Sequence, residues 1–98
     1  MTINKIAENE LLTVSVGGRL DTSTAPELEA VLNESLDGVT DLVLDVGDLE
    51  YMSSAGLRVL LATQKKMVKK GTMKVKNVNE TIMEIFEITG FADILTIE

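Results

Sequence analysis

The sequence predicts an α/β fold: a mixed, mostly parallel β-sheet with helices, in the order β-β-α-β-α-β-α-β. Three observations predict it. Short segments of apolar residues with period two alternate with longer segments at helical spacing. The first two strand segments follow one another with only a tight turn between them, so they pair antiparallel. The later strands are each separated by a helix, and right-handed crossovers of that kind bring successive strands side by side and parallel.

Residues 2–7 give the first strand, set off from the next by Glu8 and Asn9. In the second, Leu12, Val14 and Val16 alternate with Thr13 and Ser15, as in a strand with one face buried, until Gly17 and Gly18 loosen the pattern. Thr24, Ala25, Pro26 and Glu27 read as a capping box, in which the Thr24 hydroxyl serves a free backbone N–H and Glu27 reaches back to the cap. Leu28, Val31, Leu32 and Leu36 continue that helix, and Gly38 suits a left-handed stop. Residues 42–46 are a nearly continuous apolar run, expected as a central strand covered on both faces, with Asp45 its one polar residue.

After an expected loop from Gly47 to Met52, Leu57, Leu60, Leu61, Met67 and Val68 mark one face of a second helix. It starts at Ser53 or Ser54 and stops by Gly71. Met73 and Val75 alternate with Lys74 and Lys76 as a strand. Asn79 caps a third helix carrying Ile82, Ile85 and Phe86, and Gly90 ends it. Ile94, Leu95 and Ile97 form the expected last strand.

At 98 residues the chain fits one domain, residues 1–98, and its 45% hydrophobic and 26% charged content is that of a folded globular protein. No apolar run approaches the roughly 20 residues of a membrane span, and the opening residues lack the blocks of a secretory signal, so a cytoplasmic protein with no membrane insertion is expected. There is no Cys and no His, which removes thiolate nucleophiles, imidazole bases and zinc sites with N/S ligands together. A net charge of −7 disfavours the phosphate backbone of nucleic acids and points to a protein partner. Lys65, Lys66, Lys69 and Lys70 read as cations opposing a helix macrodipole. Asp21 reads as a turn former and Asp45 as a loop-end anchor rather than as metal ligands. No phosphate-cradling Gly-rich motif is present, no cofactor or metal is expected, and a monomer is the default.

In a sheet of this kind, ligands and partners meet the loops at the carboxyl ends of the parallel strands. Two loops qualify: Asp21, Thr22, Ser23 and Thr24 before the first helix, and Tyr51 to Gly56 before the second. Ser53 is the natural N-cap there. Ser54 then falls in the first helical turn, where it is either an ordinary polar residue or a working hydroxyl, while Gly56 would keep the surface low for an approaching protein. Arg58 is either solvated surface or a phosphate contact.

The segment Tyr51, Met52, Ser53, Ser54, Ala55, Gly56, Leu57, Arg58, Val59, Leu60, Leu61 resembles the signature of STAS domains, specifically the bacterial anti-sigma factor antagonists. Residues 18–28 and 42–46 extend the resemblance over essentially the whole chain. The resemblance implies a non-enzymatic partner switch. The unmodified protein binds an anti-sigma factor that is itself a serine kinase, a sigma factor is released, phosphorylation ends the binding, and a Ser/Thr protein phosphatase resets the cycle. Counting back from Gly56 places the family's phosphorylated serine at Ser54. The implied partner-binding surface is Asp21, Thr22, Ser23, Thr24, Ser53, Ser54, Ala55, Gly56 and Arg58.

The family's commonest version has an acidic residue before the acceptor and a serine after it; here Ser53 and Ala55 stand in those places, which leaves Ser53 as a second candidate acceptor. Two rival readings are a constitutive STAS interaction subunit of a signalling scaffold or transport complex, and a small phosphocarrier or hydrolase. The missing His and Cys weigh against the latter.

Overall fold

The computed structural model describes residues 1–98. Its elements are β1 (Thr2–Glu8), β2 (Leu11–Leu20), α1 (Ala25–Ser35), β3 (Asp41–Met52), α2 (Ser54–Val68), β4 (Thr72–Lys76), α3 (Glu80–Thr89) and a 3₁₀ turn (Phe91–Asp93). The sheet order is β1-β2-β3-β4, with β1 antiparallel to β2 and the other neighbours parallel. The β1–β2 hairpin closes through Asn9, whose φ of 56° is a left-handed conformation that Asn tolerates better than most residues. No helix is long and apolar enough to cross a membrane.

Leu12, Val14, Val16, Leu42, Leu44, Val46, Met73 and Val75 are all buried on one face of the sheet. They join Leu28 and Leu32 of α1, Leu57, Leu60 and Met67 of α2, and Ile82 and Phe86 of α3 in one core cluster. The other face carries Thr13, Ser15, Val43, Asp45 and Lys74, all only half-buried. The expectation that β3 is covered on both faces is therefore corrected. Its neighbours are added successively in one direction, so right-handed crossovers lay α1 and α2 on the same side. No helix covers Val43 and Asp45, which stay half-buried.

The strands run further than their apolar patterns suggest. Gly17 and Gly18 lie inside β2, and residues 47–52, expected as a loop, belong to β3. Two register shifts explain why the alternation is lost: Ser15 pairs with Asp45 but Gly17 with Asp48, and Gly18 pairs with Leu49 but Arg19 with Tyr51. Unbroken alternation from Leu42 would turn Asp48 and Glu50 into the core. The bulges instead bring in Leu49 and Met52, each only 2% exposed, and leave the two acids outside.

Helix ends follow local chemistry more closely. Gly38 and Gly90 take left-handed φ values of 76° and 83°, and the Asn79 side chain accepts from the Ile82 N–H, as expected. The second helix ends three residues before Gly71, whose N–H donates to the Met67 carbonyl. Val68, expected on the buried face, is 68% exposed, and Leu61 is half-buried. Two of the four lysines reach across to α1: the Lys66 ammonium donates to Asn33 and that of Lys70 to the Leu36 carbonyl at the C-cap of α1.

The last strand is reduced to a single parallel bridge between Val75 and Ile97. The 3₁₀ turn after Gly90 consumes the chain that would have lain along β4, so only the Val75 N–H to Thr96 carbonyl and Glu98 N–H to Val75 carbonyl bonds form there. Leu95 is buried and closes the core, and Ile94 is exposed. Glu98 receives Lys74 at 3.1 Å and Lys76 at 3.8 Å; the Lys74 hydrogen bond is the main reason its carboxyl lies below the usual range.

Candidate functional site

β2 and β3 are adjacent and parallel, so their carboxyl ends deliver the two hydroxyl-rich loops to one edge of the fold; the Ser53 N–H donates to the Leu20 carbonyl at 2.8 Å and joins them. In the first loop, Asp21 organises the chain. One of its carboxylate oxygens accepts from the Ser23 N–H at 3.0 Å, the Ser23 hydroxyl at 2.8 Å and the Thr24 N–H at 3.2 Å, an Asx turn reinforced by a side chain. The capping box does not form. The N–H groups of Thr24 and Ala25 already donate to the Asp21 carbonyl, and the Thr24 hydroxyl, freed from capping, donates to the Arg19 carbonyl at 2.8 Å and accepts from the Asp21 N–H at 2.9 Å. Asp21 thus does the work assigned to Glu27, and the Thr24 carbonyl rather than its hydroxyl serves the Glu27 N–H.

These bonds favour the charged carboxylate, the Ser23 hydroxyl first, and hold Asp21 below its ordinary value of 3.8. A group with a lowered folded-state pKa contributes stability that is complete above its unfolded value and is lost as pH falls through the folded one. Urea midpoints of the parent protein are therefore expected to fall more steeply below about pH 4 than those of Asp21→Asn. Parallel curves for the two proteins would remove Asp21 as the linked group.

In the second loop, Ser53 is the N-cap of α2 by backbone geometry, with φ −90° and ψ 176°, yet its hydroxyl makes no capping bond and is buried without a partner. The N–H groups of Ser54, Ala55 and Gly56 consequently find no acceptor within the chain; the first N–H served by backbone is that of Leu57, which donates to the Ser53 carbonyl. Ser54 is the first residue of the helix and is exposed. Three free amides and the positive end of the helix dipole therefore lie beside an accessible hydroxyl.

Gly56 is placed otherwise than expected. It faces inward, where a Cβ would meet Leu20 Cγ at 2.7 Å and Met52 Cγ at 3.0 Å. Its lack of a side chain seats the start of α2 against the ends of β2 and β3, and so fixes the position of Ser54 rather than lowering an outer surface.

A shallow groove of about 390 Å³ runs between α1 and α2 beside Ser54. Thr22, Ala25, Pro26 and Glu29 line one side, Ala55 and Arg58 the other. The structure thus gathers Thr22, Ala55 and Arg58, leaves Ser23 and Ser54 exposed nearby, and buries Gly56 and the Ser53 hydroxyl. Sequence reasoning missed Arg19 at the site and placed Tyr51 there only as the first residue of the second loop. They are register partners on β2 and β3, with the Arg19 guanidinium 4.5 Å from the centre of the Tyr51 ring and 3.9 Å from Asp21. Tyr51 stood in the recognised segment, but only its pairing with Arg19 gives it a role at the site. Asp45 lies apart on the bare sheet face, accepting from the Gly47 N–H and the Asn77 amide, each at 3.0 Å. No three acidic side chains converge as metal ligands.

Residues 2–98 match the family model described as the STAS domain. The chain belongs to the STAS domain family. Within that family it is similar to anti-sigma factor antagonists. It is 38% identical to the anti-sigma-B factor antagonist of Bacillus subtilis (strain 168), over 99% of this chain and 92% of that protein. It is 33% identical to the anti-sigma-B factor antagonist of Staphylococcus aureus (strain NCTC 8325 / PS 47), over 97% and 90%. Among solved structures, an anti-sigma factor antagonist from Mycobacterium paratuberculosis superposes with a TM-score of 0.88 at 28% identity, over 98% of this chain and 83% of that one. The Bacillus cell fate determinant SpoIIAA in its phosphorylated form shares the STAS fold at a TM-score of 0.76 and 17% identity, over 99% and 91%.

Proposed function

We propose that this STAS domain is an anti-sigma factor antagonist, acting as one domain over residues 1–98, whose binding is switched by phosphorylation of Ser54. The unmodified protein binds an anti-sigma factor through the edge formed by Asp21 to Thr24, Ser53 to Ala55 and Arg58. A sigma factor is thereby released. The anti-sigma factor, acting as a serine kinase, then transfers the γ-phosphoryl group of ATP to Ser54: the Oγ–P bond forms, the bond to the β-phosphate breaks, ADP leaves, and the hydroxyl proton passes to a base of the kinase. A Ser/Thr protein phosphatase restores the hydroxyl by hydrolysis. The STAS domain itself is the substrate of these reactions, not a catalyst, and works in the cytoplasm as a monomer.

The observation that carries this reading is the contrast between two adjacent serines. Ser54 is exposed at the first position of α2 beside three unbonded amides, while the Ser53 hydroxyl is buried beneath it. Of the two candidate acceptors, only Ser54 can meet a kinase without opening the fold. Similarity to antagonists at 33–38% identity over nearly the full chain supports the choice of partner class.

Intact-mass and fragment mass spectrometry after incubation with ATP and lysate of the native host tests it. One added phosphate, lost in Ser54→Ala and retained in Ser53→Ala, is expected. No phosphate from lysate shown to be kinase-active would replace the switch with constitutive binding.

A further inference from the structure

The chain's ion pairs are Arg19 with Asp21, Lys74 with Glu98 and Lys76 with Glu98, so the Arg58 guanidinium is left without one. Arg58 is exposed and stands four residues after Ser54 on α2. Positions i and i+4 are neighbours on a helix surface, and an anion placed N-terminal to a cation at this spacing is the favourable orientation. The same arginine lines the groove between α1 and α2, which also contains Glu29 but at no ion-pairing distance.

We infer that Arg58 is the intramolecular counter-charge of the phosphate on Ser54, drawn out of the α1–α2 groove to clasp it when the site is modified. This rests on the reading of Ser54 as the acceptor. The phosphate carries up to two charges where Glu29 carries one, sits one helical turn from the guanidinium, and offers oxygens that a planar fork can engage in pairs. The Ser54, Ala55 and Gly56 amides complete its surroundings from the other side. Modification then changes the docking edge twice over. A neutral hydroxyl becomes an anion, and the groove loses its only cation, leaving Glu29 as its sole charge. A partner that engages the groove through an acidic group meets the opposite charge pattern after phosphorylation, without any change of fold.

The clasp is tested with phosphoserine installed at position 54 by synthesis, so that no kinase is needed, and titrated by phosphorus NMR. The second ionisation, near pH 6 for free phosphoserine, is expected at lower pH in the parent protein than in Arg58→Gln, with proton affinity reduced about two- to threefold. Arg58→Lys, which keeps the charge and loses the fork, is expected between them. Equal midpoints in parent and Arg58→Gln overturn the clasp and leave Ser54 standing as acceptor; an absent kinase overturns the acceptor role and leaves this result untouched. The Arg58 side-chain N–H signal of the parent protein gives a readout free of any variant. It is expected to shift on phosphorylation and to return as the phosphate is protonated below about pH 6, and a signal that stays in place also overturns the clasp.

Discussion

A phosphate on Ser54 is expected to weaken capture of the anti-sigma factor by more than a hundredfold while leaving the STAS fold intact. Phosphorylation adds about −1.5 to −2 charges at neutral pH to a protein already at −7. At the start of α2 these charges meet the helix dipole and three free amides, an environment that favours an anion, so the folded state does not suffer. The cost falls on the complex. A dianion pressed against a packed surface must shed water and face any acidic group opposite, and about 3 kcal/mol of that cost exceeds a hundredfold in affinity. Calorimetric titration of the anti-sigma factor with synthetic Ser54-phosphorylated protein measures the ratio, and amide NMR spectra report the fold. Equal affinities, or collapse of the native spectrum on phosphorylation, would each defeat this mechanism.

The largest effect on stability is expected from Gly71→Ala, beyond the opposite end of α2 from Ser54. A Cβ on Gly71 would lie 1.7 Å from the Thr40 carbonyl oxygen and 2.6 Å from its carbon. The obstacle is backbone, so no rotamer change relieves it. Thr40 and Gly71 lead into the neighbouring strands β3 and β4, and the Thr72 N–H donates to that same Thr40 carbonyl at 2.8 Å. Making room for a methyl group means parting the two strands where Asp41 pairs with Thr72, and breaking this hydrogen bond. A loss of about 3 kcal/mol or more is expected, at the upper end for overpacking and a large share of a small domain's total stability. Gly38→Ala is the comparison. It has open space around it but a left-handed φ of 76°, and should cost only about 1 kcal/mol. Urea unfolding of both variants decides it, and a Gly71→Ala midpoint no lower than that of Gly38→Ala would show that the strand entry can yield.

Much of this architecture is legible in the residues one element at a time. The period-two positions of β2 and β4, the left-handed stops at Gly38 and Gly90 and the Asn79 cap all follow from residues acting on their own backbone within a turn or two. Such signals are local, and a sequence states them directly. It names Ser54 as a candidate through its resemblance to a family segment, but spacing alone does not separate it from Ser53.

What separates the two serines is tertiary. The Ser53 hydroxyl is buried because its N–H is tied to Leu20 on the neighbouring strand and because Gly56 lets α2 settle onto Leu20 and Met52. The same holds for the other departures. The bulges that bring Leu49 and Met52 inward depend on where β2 pairs with β3, across about thirty residues of chain. Thr24 gives up its capping role because Asp21 and Arg19 compete for its hydroxyl and win. Val43 faces a bare side because crossover handedness puts both α1 and α2 on the other. Periodicity fixes which way a side chain points from its own backbone; which groups it meets there is decided only when register, bulges and crossovers bring distant segments together, and the exposure of Ser54 over a buried Ser53 hydroxyl is a property of that assembly.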